Sequence, residues 1–149
     1  MPWDIPPGME QADAVLEITV EKIKKRKGHL NVEVCSEEAY NKNSGKKNSQ
    51  QQPEETINTS CITISEAVIN RGAQKLPPLK LASGTWAVRL HQDYDGDERM
   101  DYNFLGLPKE PFGFYRIKRI PFSEPKFKRI NLTVGVGEHA EITVRLIRF

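Results

Sequence analysis

The sequence predicts an all-β protein, a single Greek-key β-sandwich of about seven strands. Three observations carry that expectation. Period-two alternation of apolar and polar residues recurs along the chain, while helical periodicity is nearly absent. The alternating runs are short and separated by turn-forming residues. The 149 residues also suit one domain with a core of its own.

The first alternating run sets Leu16, Ile18 and Val20 against Glu17, Thr19 and Glu21. The second sets Leu30, Val32 and Val34 against Asn31, Glu33 and Cys35. The basic link Lys24-Lys25-Arg26-Lys27-Gly28 between them reads as a solvated hairpin turn rather than an anion site. A third strand follows at Ile62-Thr63-Ile64, extending toward Ile69, and a fourth runs through Trp86, Val88 and Leu90 with Ala87 and Arg89 on its other face. The stretch 128–134 turns Ile130, Leu132 and Val134 inward, and the last strand does the same with Ile142, Val144 and Leu146. Residues 76–81 offer a further short strand, which Pro77 and Pro78 confine to an edge.

Residues 1–13 read as a tail and 14–149 as the sandwich domain. Within it, 41–55 is rich in Asn, Ser, Gln and Lys, has no apolar residue to anchor it, and reads as a mobile insertion. The long connection 102–125 differs, because it carries Phe104, Leu105, Phe112, Phe114 and Tyr115 and is expected to pack down.

Net charge is +2, from 22 basic and 20 acidic residues, too balanced for a nucleic-acid or membrane steering field over the whole protein. Mean hydropathy is −0.57, and no apolar run has the length of a membrane span. The start, Met1-Pro2-Trp3-Asp4-Ile5-Pro6-Pro7-Gly8, has no basic segment followed by an apolar one, so no secretory signal is read in it.

The strand ending at Leu90 runs into Asp93-Tyr94-Asp95-Gly96-Asp97-Glu98-Arg99-Met100-Asp101. Alternating carboxylates at Asp93, Asp95, Asp97 and Asp101, with the backbone carbonyl of Arg99, form the oxygen-rich set that a hard Ca2+ ion requires. Without a cation, carboxylates gathered so closely repel one another. The loop is not an EF-hand, since Glu98 and Phe104 stand where that motif needs Gly and a bidentate Glu. The alternative is an Asp/Gly-rich surface turn that binds nothing. His91 is the histidine nearest this loop, either acting beside it or ending a strand.

Other chemistry finds little support. No Gly-Xaa-Ser-Xaa-Gly elbow is present, and His29, His91 and His139 fall on separate elements. Cys35 and Cys61 lack paired zinc-ligand spacing. They flank the 41–55 insertion, and both point away from the main apolar face if their strands pair. That leaves either a disulfide or two small half-buried residues. Arg116, Lys118, Arg119, Lys126, Lys128 and Arg129 form a local basic cluster that reads as a charged sheet edge rather than a polymer site.

From Leu79 and Ser83-Gly84-Thr85-Trp86-Ala87-Val88 through Asp93-Tyr94-Asp95-Gly96-Asp97, the chain resembles the bacterial domain-of-unknown-function 2141 family. The resemblance continues through Asp101-Tyr102-Asn103-Phe104-Leu105-Gly106-Leu107-Pro108-Lys109-Glu110 and Gly113-Phe114, and includes Ser36-Glu37-Glu38-Ala39-Tyr40. Gln92, Glu98 and Tyr115-Arg116 depart from the pattern, where His, Gly and Ser-Asn are usual. The resemblance implies a transthyretin-like (prealbumin-like) sandwich, secreted or periplasmic, with no established activity. Sandwich relatives that hydrolyse purine-derived rings carry a Tyr-Arg-Gly-Ser tail, in place of which this chain has Arg145-Leu146-Ile147-Arg148-Phe149. The expectation is therefore a calcium-binding module rather than an enzyme, with Phe112, Phe114 and Tyr115 as its binding surface. Its expected partner is an envelope protein or polymer, without nucleic acid or membrane insertion, and the chain a monomer or weak dimer. The rival reading is a metal-dependent hydrolase built on the Asp cluster.

Overall fold

The computed structural model describes residues 14–43, 61–96, 109–121 and 123–148. Among the described residues, nine strands and one α-helix follow in order: β1 (Ala14–Ile23), β2 (His29–Cys35), α1 (Glu37–Asn43), β3 (Cys61–Glu66), β4 (Gly72–Lys75), β5 (Leu79–Leu81), β6 (Gly84–Asp93), β7 (Phe112–Phe114), β8 (Asn131–Val134) and β9 (His139–Arg145). Two sheets of four and five strands pack face to face as an all-β sandwich.

In the first sheet, β1 pairs with β9 in parallel and with β4 and β5 antiparallel. Residues of β1 that face β4 or β5 also face β9, so β4 and β5 must share the opposite edge. By the same reasoning β7 and β8 share one edge of β6, with β2 on the other and β3 beyond it. The nine strands thus lie on seven rails, the number the alternation predicts. Pro77 and Pro78 split one of the shared rails, between β4 and β5. Neither can donate to a ladder, whereas Leu76 still donates its N–H to the carbonyl of Ile18.

The main core lies between the sheets and follows side-chain parity. Leu16, Ile18 and Val20 of β1, Leu30, Val32 and Val34 of β2, Val88 and Leu90 of β6, and Ile142 and Val144 of β9 are all buried there. Each fully buried side chain of this kind stabilises the fold by about 1.5–3 kcal/mol.

A second, smaller core covers the outer face of the second sheet. Cys35 and Ala87 from the strands meet Ala39 and Tyr40 of α1, with Phe112, Phe127 and Ile130 closing over them. Helix α1 was not expected from the pattern. Seven residues give almost no periodicity, but Ser36 caps the helix, accepting the Ala39 N–H, and Glu37 and Glu38 fill its first turn. It takes up the first residues of the 41–55 insertion; 44–55 lie outside the described residues. Arg89 pins the covering segment down. It donates to Glu33 at 2.6 Å and Glu124 at 2.9 Å, and lies 5.1 Å from the Tyr40 ring. Burial alone would lower its proton affinity, but Glu33, Glu124 and Tyr40 outweigh that and hold it above the ordinary arginine value.

Three details differ from the sequence reading. The link 24–28 is no hairpin, because β1 and β2 belong to different sheets and the link is a corner between them. Strand β8 starts at Asn131, and a 3-10 turn at Phe127–Arg129 occupies the head of the expected strand. The third strand stops at Glu66, although Ile69 is buried. Cys35 and Cys61 are paired opposite each other in the β2–β3 ladder and joined by a disulfide on the outer face.

Candidate metal centre at the end of β6

Odd-numbered residues of β6 face away from the main core, and Arg89, His91 and Asp93 therefore stand in a row on the outer face of the second sheet. The antiparallel register sets Asn31 of β2 opposite His91 and His29 opposite Asp93. Asp93 is fully buried. An ionised carboxylate in that position needs donors around it, and two are at hand. Asn31 Nδ2 donates to Oδ2 at 3.2 Å, and the Gly96 N–H donates to Oδ1 at 3.0 Å. The second bond folds the start of the acidic loop back on its first residue.

Glu110, only 3% exposed, enters from the segment before β7. Its Oε2 accepts the Tyr94 N–H at 2.9 Å, and its Oε1 lies 4.0 Å from His91 Nε2. His91, Asp93 and Glu110 each place one ligand atom within 4.8 Å of the others. Two carboxylates and an imidazole so near one another offer ligand types that metal cations take. Asp95, two residues beyond Asp93 in the chain, is exposed.

Of the expected ligands, Asp93 and Asp95 are thus at the root of the loop; Asp97, Arg99 and Asp101 lie outside the described residues. Glu110 was missed. It is seventeen residues from Asp93 in sequence and only the fold unites them, although a lone acid between Pro108 and Pro111 was a signal. The expected binding surface needs correction. Phe112 is 8% exposed and sits in the second core, and Phe114 packs against that core. Tyr115 is half-buried against the main one. These aromatics hold the connection down, because covering the outer face of the second sheet takes large apolar side chains.

Another charged group lies on the outer face of the first sheet. Glu17 pairs with Lys75 at 3.2 Å and His139 at 2.9 Å, with Glu141 beside them. Lys75 first and His139 second hold the Glu17 carboxyl below its ordinary value. A carboxylate whose folded-state affinity for protons is depressed stabilises the fold above its unfolded value, and that contribution is lost as pH falls through the folded one. Glu17→Gln is therefore expected to lower the melting temperature at neutral pH, with the gap to wild type closing in acid below the ordinary glutamate range. A gap that does not change with pH would contradict this.

A two-sheet sandwich with a carboxylate-lined end defines the class. The chain belongs to the family described as "Uncharacterized protein conserved in bacteria (DUF2141)", whose profile matches residues 18–143. Neither the curated proteins nor the solved structures give a match.

Proposed function

We propose that this is a calcium-binding β-sandwich module of the extracytoplasmic space, structural or ligand-binding in role and not an enzyme. The observation that carries this reading is the burial of Asp93 and Glu110 together at the root of the Asp-rich loop. In this reading their oxygens, with those of Asp95, Asp97, Asp101 and the Arg99 carbonyl, complete an oxygen shell, and the ion fixes the loop to the end of β6. The Cys35–Cys61 disulfide supports an oxidising compartment.

Calcium is expected to raise the melting temperature, because the ligands converge only in the folded chain. With a dissociation constant of roughly 10⁻⁴–10⁻³ M, a tenfold excess of calcium would add about 1.4 kcal/mol. Asp95→Ala with Asp97→Ala is expected to abolish the effect, and Glu110→Gln to weaken it. No heat in calorimetry and no thermal shift at millimolar calcium would overturn the reading.

His91 favours a second reading, a metal-dependent hydrolase, since imidazole beside two carboxylates suits zinc or manganese better than calcium. The same titration separates the two. A response to zinc that is lost in His91→Ala, with none to calcium, would favour the hydrolase.

A further inference from the structure

The Asp93 carboxylate is oriented by a chain of two hydrogen bonds that crosses three strands. On the outer face of the second sheet the ladders set Ser65 of β3 opposite Asn31 of β2, and Asn31 opposite His91 of β6. Ser65 Oγ donates to Asn31 Oδ1 at 2.8 Å, and Asn31 Nδ2 donates to Asp93 Oδ2 at 3.2 Å. The amide is therefore committed in one direction, its oxygen to a hydroxyl and its nitrogen to a carboxylate. Turned over, it would set its own oxygen against that of Asp93. With the Gly96 N–H on Oδ1, the carboxylate is held at both oxygens.

An amide at position 31 does something that a cation there would not. Two residues along the same strand, Glu33 meets the charged Arg89 at 2.6 Å, and the pair cancels. Asn31 donates a hydrogen bond and brings no charge, so it orients the Asp93 carboxylate without neutralising it. Asn31 is half-buried, and Ser65 is exposed on β3, the outermost strand of the sheet. The chain thus runs from a fully buried carboxylate out to a surface hydroxyl.

We propose that Asn31 is a positioning residue for the cation of this site, and that Ser65 sets cation affinity through it from the edge of the sheet. This rests on the reading of the β6 end as a calcium site, and adds to it the two residues that orient its most buried ligand. A ligand fixed beforehand in its binding orientation has no freedom left to lose when the ion enters. Groups that orient ligands from behind accordingly affect metal affinity by about ten- to a hundred-fold.

Calcium titration of the folded protein, read by calorimetry and by the rise in melting temperature, tests this. Asn31→Ala is expected to weaken calcium binding about thirty-fold. Ser65→Ala should weaken it about five-fold, and Ser65→Thr, which keeps the hydroxyl, should bind as wild type does. In the double variant, Ser65→Ala should add nothing to Asn31→Ala, because the hydroxyl acts only through the amide. Ser65 is exposed, so its variants are expected to keep the fold, and melting without calcium checks each of them. Losses that add in the double variant would overturn the proposal, as would unchanged calcium binding in Ser65→Ala. A lower calcium-free melting temperature in Asn31→Ala, with wild-type calcium affinity, would assign Asn31 to stability alone and overturn it too. Wild-type protein that takes up no calcium would overturn the calcium reading and this inference together. The wild-type titration therefore tells the two failures apart.

Discussion

Replacing both cysteines, Cys35→Ala with Cys61→Ala, is expected to lower the unfolding free energy by about 3.5 kcal/mol. The two residues are separated by 26 positions, and the loop they close contains α1. In the unfolded chain the bond removes most of the freedom of that loop, which sets the estimate through chain entropy. In the folded chain it clamps the end of β2 to the start of β3, where Cys35 is wholly buried among Ala39, Tyr40 and Ala87. Reduction should therefore act locally as well, speeding hydrogen exchange in α1 before the main core opens. Urea unfolding of the native, reduced and double-variant proteins measures the effect. A loss under about 1 kcal/mol, far short of the chain-entropy figure, would show that the loop is already restricted without the bond.

A loss of about 3 kcal/mol or more is expected for Gly28→Ala, the sum of left-handed strain and a backbone clash. Gly28 has φ +70, and a Cβ built on it would lie 1.9 Å from the Asp93 carbonyl oxygen. That oxygen belongs to the last residue of β6, opposite His29 in the ladder, and cannot retreat without opening the sheet. Gly137→Ala separates the two contributions. Its φ is +74, but nothing lies within 4 Å of an added Cβ, so it should lose only the ~1–2 kcal/mol of strain. Equal melting temperatures for the two variants would contradict the account of the corner. Because Gly28 touches Asp93, its variant should also weaken calcium binding under the proposed reading.

Much of the fold was legible because parity is local. Leu16, Ile18 and Val20, or Ile142 and Val144, reveal their buried face through their neighbours alone, and Cys35 and Cys61 show by the same rule that they face away from it. Parity does not say which strand lies alongside which. Lys24-Lys25-Arg26-Lys27-Gly28 suits a hairpin or a corner equally well, and only the β1–β9 and β2–β6 pairings decide. Strand β4, Gly-Ala-Gln-Lys, has no β-branched residue and is a strand because β1 offers it an edge. The candidate site divides in the same way. Asp93 and Asp95 announced themselves by spacing, whereas Glu110 and Asn31 reach the site through tertiary placement. Phe112, Phe114 and Tyr115 misled because large apolar groups in a long loop can serve packing as well as recognition.

The parallel pairing of β1 with β9 bears on how the domain carries load. The chain enters β1 at one end of the sandwich and leaves β9 at the other, with Val15 beside His139 and Glu21 beside Arg145. Tension applied through the two flanks would pull the neighbouring strands past each other in opposite directions along their length. The interstrand hydrogen bonds would then be loaded together in shear rather than peeled one at a time. Such a ladder yields abruptly, at higher force than an unzipping one, and makes the sandwich stiff along that axis.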